Sequence, residues 1–282
     1  MAGNAGNAGN AGNAGNAGNA GNTGNAGGTA GWEFADRVDL PFAVDAGLSS
    51  NQTKWPRDSY PAHAWGMEWW AWVTLADYAR TDWKSITLTT TIPTTVDDIQ
   101  KELKALVDSA QDERADALGE IRAQNDEFIS YFMALLGVTP SSRSATCRLL
   151  HIANLTALFT VMYFKGCYNR PRPSHICPAL LPPIQVPGHA SFPSGHATQA
   201  HLMAECVKLA LPATYNIRAA LSADLDVLAD RIARNREIAG LHYKSDSDAG
   251  KELAGKILAI LKDPNLMPRF DDTLTAAKKE WP

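Results

Sequence analysis

Apolar residues recur at helical spacing along most of the chain beyond residue 95. Thr95-Val-Asp-Asp opens a long helical stretch in which Ile99, Leu103, Leu106 and Val107 fall three or four apart, with Asp97 and Asp98 suited to the first turn. DALGEIRAQNDEFISYFMALLG (116–137) continues that stretch to a stop at Gly137. Ser141 or Ser142 is expected to cap the next helix, whose apolar run LTALFTVMYF (155–164) leads into Lys165. Pro171 and Pro173 should end that helix and hold Arg172 on a stiff extended loop. ATQAHLMAECVKLAL (197–211), TYNIRAALSADLDVLADRIARNREI (214–238) and HYKSDSDAGKELAGKILAILK (242–262) read as three further helices, followed by a short amphipathic piece after Pro264 and Pro268. Upstream, HAWGMEWWAWVTLADYAR (63–80) reads as a helix with Trp65, Trp69 and Trp72 on one face, expected to pack against the core. SITLTTTIPTT (85–95) is β-branched and could be extended, but Pro93 argues against a strand. The expected fold is therefore all-α, a helical bundle with its site in the bundle's mouth, because Lys165, Ser194 and His242 all fall at helix ends.

Composition narrows the class. A formal charge of −4, from 26 Lys and Arg against 30 Asp and Glu, gives no basic field for nucleic acid. A hydrophobic share of 45% supports one sizeable core, so residues 32–282 are expected to form a single domain. Residues 1–31 repeat Asn-Ala-Gly without a bulky apolar side chain until Trp32, and are expected to be a flexible low-complexity tail. No run of 18 apolar residues occurs, so no membrane span is expected, and no basic-then-apolar secretory leader is visible, leaving a cytoplasmic location as the default. Cys147, Cys167, Cys177 and Cys206 are too sparse for a disulfide scaffold and are expected as free thiols. The sequence sets no oligomeric state and leaves a homo-oligomer open.

The candidate chemistry lies in three clusters: KGCYNRPRP (165–173), PSGH (193–196) and NREIAGLHYKSD (235–246). Phosphoryl chemistry needs charge neutralisation on three equatorial oxygens. Arg172 and Arg236 offer planar, permanently charged forks, and Lys165 a point charge. Ser194 suits an N-cap whose free N–H groups and dipole bind an anion, and Gly195 lets backbone approach closely. His196, in the first turn, is placed to act as general acid on a leaving oxygen. His242 and Asp246, four apart, would share a helix face, so that the carboxylate takes the Nδ1 proton and frees Nε2 as nucleophile. His189 lies close enough to PSGH to line the same site, but a lone loop histidine is more often merely exposed, and that is the expectation here.

These motifs resemble those of the superfamily of type 2 phosphatidic acid phosphatases, bacterial class A acid phosphatases and vanadium haloperoxidases. Its signature is Lys-x6-Arg-Pro, then Pro-Ser-Gly-His, then Ser-Arg-x5-His-x3-Asp. Lys165 with Arg172-Pro173, Pro193 to His196, and Arg236, His242 and Asp246 match it, with Asn235 standing where the family usually has Ser. The resemblance implies Lys165, Arg172, Ser194, Gly195 and Arg236 as anion ligands, His196 as general acid, and His242, oriented by Asp246, as the residue that forms a phosphohistidine. It implies a soluble, metal-independent phosphatase without a cofactor, acting on a small-molecule phosphate ester at mildly acidic pH. The alternative is a vanadate-dependent haloperoxidase with His242 on vanadium. The gap of about 40 residues between PSGH and Arg236, and the length of 282 residues, favour the phosphatase branch. A non-catalytic anion-binding protein would have no need of an oriented nucleophile.

Overall fold

A computed structural model describes Tyr60 and residues 62–282; the expected tail at 1–31 lies outside the described residues. Among the described residues the secondary structure is helical, with no strand. The helices are α1 (Met67–Tyr78), α2 (Val96–Asp112), α3 (Arg114–Asp126), α4 (Ile129–Leu136), α5 (Ser144–Tyr168), the one-turn α6 (Pro173–Ile176), α7 (Gly195–Ala210), α8 (Arg218–Ile238), α9 (Lys244–Leu261) and α10 (Pro268–Lys278).

Helix α7 is the central element and packs against α5, α8 and α9, while α1 and α10 cover α5 from the other side. Its Ala197, Ala200, Ala204 and Ala210 are fully or almost fully buried, and their short side chains allow the neighbouring helices to approach closely. The tightest approach is at Gly250 of α9. A Cβ there would sit 2.7 Å from the Ser194 carbonyl oxygen and 2.9 Å from the Ala197 Cβ. Gly250 thus lets α9 lie directly on the start of α7, where the PSGH cluster begins.

Several boundaries differ from the periodicity. The 96–137 stretch is three helices rather than one, broken at Glu113 and at Glu127–Phe128, before the expected stop at left-handed Gly137. Helix α5 starts at Ser144, one residue after Arg143, so neither Ser141 nor Ser142 is its cap. Instead the Glu280 carboxylate accepts from the N–H groups of Ala145 and Thr146 (2.8 Å each), a cap supplied from the far end of the chain that also complements the helix dipole. The same helix runs past Lys165 and ends at Asn169, whose left-handed backbone (φ 48°) stops it before either proline acts. The stretch Ser144–Ile176 is long and apolar enough to cross a membrane, with a mean hydropathy of 1.3 in its most apolar window, but 72% of that window is buried inside the protein.

The segment 85–95 is irregular, and it is pinned to α9 by Glu252, which accepts from the N–H groups of Thr89 (2.7 Å) and Thr90 (2.9 Å). Those bonds outweigh desolvation, which acts in the opposite direction, and bring the Glu252 carboxyl down to about 2.

The tryptophan face expected to be core is not. Trp69 is 62% and Trp72 50% exposed, while α1 buries Ala71, Thr74, Leu75 and Tyr78. Trp65 precedes the helix, so the three tryptophans share no common helical face. Trp72 instead borders an open apolar groove of about 530 Å³ with Leu75, Trp83, Phe159 and Met162. The four cysteines are free thiols, as expected.

The packing at Gly250 predicts that Gly250→Ala loses about 1–3 kcal/mol in urea denaturation, because backbone rather than a movable side-chain end opposes the new methyl. Gly119→Ala, in the exposed middle of α3 with nothing within 4 Å of the new atom, is expected to gain about 0.5–1 kcal/mol.

Candidate active site

The fold brings the three clusters together around Asp246. His242 precedes α9 and Asp246 is its third residue, so the pair spans the helix start instead of lying on one helical face. His242 Nδ1 nevertheless lies 3.0 Å from Asp246 Oδ2. The same carboxylate accepts from the Tyr243 N–H (3.1 Å), from the Ser191 hydroxyl, and through Oδ1 from Arg170 Nη1 (2.7 Å). Its main-chain carbonyl accepts from the Ser194 N–H (2.9 Å), fixing the PSGH turn to the start of α9.

Arg172, at the N-cap of α6, donates to the carbonyls of His189 (3.0 Å) and Leu241 (2.9 Å). Its Nη1 also lies 3.1 Å from His242 Nε2. A guanidinium can only donate, so Nε2 is the acceptor and the ring proton sits on Nδ1, facing Asp246. Burial, then the charges of Arg172 and Lys165, hold His242 well below the ordinary histidine range. It is therefore a neutral imidazole with its lone pair on Nε2.

Lys165 donates to the carbonyls of Ala190 (2.9 Å) and Ser191 (2.7 Å). Burial and the neighbouring Arg172 pull its ammonium well below the usual range, against Asp246. Arg236, on the last turn of α8, is 1% exposed. Its Nη2 donates to the Ile121 carbonyl (2.6 Å), whereas Nε and Nη1 are buried without any protein partner. Burial lowers its pKa to about 10, so it stays charged at neutral pH. Arg170, Arg172 and Arg236 thus bury three guanidinium groups in a largely dry region in which the Asp246 and Glu102 carboxylates both pair with Arg170.

Ser194 caps α7, its hydroxyl accepting from the Ala197 N–H at 3.4 Å. Gly195 opens the helix, and a Cβ on it would meet nothing closer than 3.8 Å. The close approach expected of Gly195 is therefore not made by this chain's own atoms; Gly250 is the glycine that packing requires. His196, half-buried in the first turn, stacks on Phe128 (centroids 4.8 Å apart) and lies with Nε2 3.1 Å from the Gln124 carbonyl. A carbonyl only accepts, so Nε2 carries the proton and Nδ1 is free. Burial and the Arg236 charge hold this ring too well below the usual range.

Asn235 is buried and donates to Glu120 (3.0 Å) and to the Gln124 side chain (2.9 Å), so it fastens α3, and with it the Gln124 carbonyl that holds His196. Asn235 thus supplies a donor where the superfamily that the motifs resemble usually has Ser. All eight candidate residues come into one neighbourhood. His189 also joins them: its Nδ1 accepts from Arg172 Nη2 (3.1 Å), and burial with the Lys165 and Arg172 charges lowers its pKa to about 4. Sequence patterning missed Arg170, Glu102, Ser191 and Gln124, which belong to no recurring motif. Only the proximity of Arg170 to Arg172 in the chain hinted at any of them.

No family model matches the chain. It is 34% identical over 101 residues to decaprenylphosphoryl-5-phosphoribose phosphatase from Mycobacterium tuberculosis, in both strain CDC 1551 / Oshkosh and strain ATCC 25618 / H37Rv. The match covers 34% of this chain and 49% of the relative, so the chain spans about half the length of the curated relatives it matches.

The buried histidines set a pH dependence of stability. His151, His189 and His201 have folded values of about 4, and His196 and His242 lie well below 6.5. Their depressed folded values mean that below 6.5 the unfolded chain takes up protons the folded chain refuses, so stability is full above 6.5 and falls as pH drops toward 4. The urea midpoint is expected to fall between pH 7 and pH 5.

Proposed function

We propose that the chain is a phosphomonoester hydrolase that works through a phosphohistidine on His242. The observation that carries this reading is the Arg236 guanidinium, buried and charged with Nε and Nη1 unpartnered. Unpaired buried charge is costly, and an oxyanion relieves the cost by accepting from those donors. A neutral imidazole oriented by Asp246 and Arg172 supplies a nucleophile, which simple anion storage does not require. The partial match to curated phosphatases supports phosphate-ester chemistry.

In this proposal Lys165, Arg172, Arg236 and the N–H groups at the start of α7 hold the phosphoryl oxygens. Arg172 Nη1 turns from His242 Nε2 to a phosphoryl oxygen, which frees the lone pair it caps in the ligand-free protein. Nε2 forms a bond to phosphorus as the bond to the leaving oxygen breaks, and His196 Nδ1–H protonates that oxygen. His196 then takes a proton from water, which attacks phosphorus and releases phosphate from His242. Asp246 keeps its hydrogen bond to Nδ1 throughout and steadies the positive charge that the ring acquires.

His196 must be an imidazolium to act as the acid, yet its environment without ligand disfavours that charge. The bound phosphate dianion restores the balance, because it offsets the Arg236 charge that faces the ring. The basic limb of kcat should therefore lie at higher pH than the basic limb of kcat/KM, since kcat reports the complex and kcat/KM the free enzyme. Coincident limbs would remove His196 from the acid role.

Hydrolysis of an aryl phosphate by chelator-treated protein is the direct test of the function. His242→Ala should lose at least about a thousand-fold in kcat, and Arg236→Ala about 10²–10³-fold in kcat/KM. Acid-labile label from ³²P-substrate should be trapped on the wild type and be absent from His242→Ala. The same donors suit orthovanadate, which matches phosphate in shape and charge, so micromolar vanadate should block turnover. Peroxide-dependent bromination by the vanadate-treated protein, with no ester hydrolysis, would support the haloperoxidase alternative instead.

A further inference from the structure

Asp246 can orient His242 only if it is itself held, and the group that holds its second oxygen is Arg170. This guanidinium is 5% exposed. Its Nη1 donates to Asp246 Oδ1 and to the Ser245 hydroxyl (2.7 Å each), and its Nη2 donates to Glu102 Oε2 (2.7 Å). Its plane lies over the Tyr243 ring, 3.7 Å from the centroid. Glu102 is fixed in turn, its Oε1 accepting from the Ser245 N–H (3.1 Å). The fork is thus tied to α2, to the start of α9 and to the residue next to His242. Its Nη1 and Nη2 bonds run to fixed protein acceptors and its face is covered by Tyr243, unlike Arg236 with its two free donors.

We propose that Arg170 is a positioning residue for the nucleophile. Held by Glu102, it fixes Asp246 so that Oδ2 keeps the His242 Nδ1 proton and Nε2 keeps its lone pair. Resting on the phosphohistidine reading, the proposal adds a Glu102–Arg170–Asp246–His242 relay in which α2 takes part in the site without touching substrate. A Lys could supply the charge but not the fork, since one ammonium cannot reach Asp246 and Glu102 with two parallel planar donors. The groups facing this relay are Lys165 of α5, Arg172 and His189 of the loops, His196 of α7 and Arg236 of α8. None of them bonds Asp246 Oδ1.

The test compares Arg170→Met, Arg170→Lys and Glu102→Gln with the wild type, after confirming by circular dichroism and urea denaturation that each is folded. Because Arg170 touches no substrate, Arg170→Met should lower kcat about 10–100-fold and leave KM within about two-fold. Arg170→Lys should recover part of that loss. Glu102→Gln, which loosens the fork without removing it, should fall between Arg170→Met and wild type. Proton and nitrogen-15 NMR of the histidine rings should show a strongly hydrogen-bonded, downfield Nδ1–H on His242 in wild type and a weaker, upfield-shifted one in Arg170→Met, while Arg172 keeps Nε2 unprotonated in both. The NMR readout needs no turnover, so it tests the relay even if the wild type hydrolyses no phosphate ester; that result alone would overturn the phosphatase reading. An unchanged His242 Nδ1–H resonance overturns the relay, as does an Arg170→Met variant whose loss falls on KM. If Arg170→Met does not fold, Glu102→Gln with wild-type kcat and a wild-type Nδ1–H resonance overturns it equally.

Discussion

The buried carboxylate of Asp246 is the interaction on which the rest of the site depends. It is fully buried, yet it accepts from His242, Tyr243, Ser191 and Arg170, while its own main chain accepts from Ser194. Each of the three sequence clusters therefore reaches the other two through one residue. A carboxylate in a dry interior is tolerated only with such partners, and removing one partner of a buried pair leaves an uncompensated charge costing about 3–5 kcal/mol. The close packing at Gly250 serves the same end, since it sets α9 directly against the start of α7 and makes the Ser194–Asp246 bond possible.

Around that negative hub the protein gathers more positive charge than it neutralises. Arg170 is consumed by Asp246 and Glu102, while Lys165 and Arg172 spend their donors on carbonyls and on His242. Arg236 alone of these keeps two buried donors without a partner. The surplus has two consequences. Added to burial, it suppresses protonation of His242 and His196, and in the proposed hydrolase it would favour binding of a compact oxyanion. Under that proposal, affinity for the anion and the protonation state of His196 are coupled through one electrostatic balance.

The helices that carry these residues are held by long-range polar contacts as much as by apolar packing. Glu280 caps α5 from the end of the chain, Glu252 pins the irregular 85–95 segment, and Asn235 ties α8 to α3 beneath His196. None of these partners is near its target in sequence. Each satisfies backbone or side-chain donors that would otherwise be orphaned at a helix end or in the interior.

Sequence alone was sufficient for the all-α class and for Thr95 and Gly137 as helix ends, and it singled out eight residues that the fold gathers into one neighbourhood. Helical periodicity and local capping are short-range properties, and charged, Gly and His residues at fixed spacing carry their chemistry with them. The tertiary structure decided what depends on distant neighbours. Trp69 and Trp72 fell outside the core because burial follows which face of α1 meets α5, and the density of aromatics does not report that. Gly250, not Gly195, proved to be the glycine that packing requires, because only the docked helices reveal the missing space. The protonation states of His196 and His242 are likewise invisible in the sequence. They follow first from how deeply the fold buries each ring and then from the cations it places within reach, and both are set only when α5, α7, α8 and α9 come together.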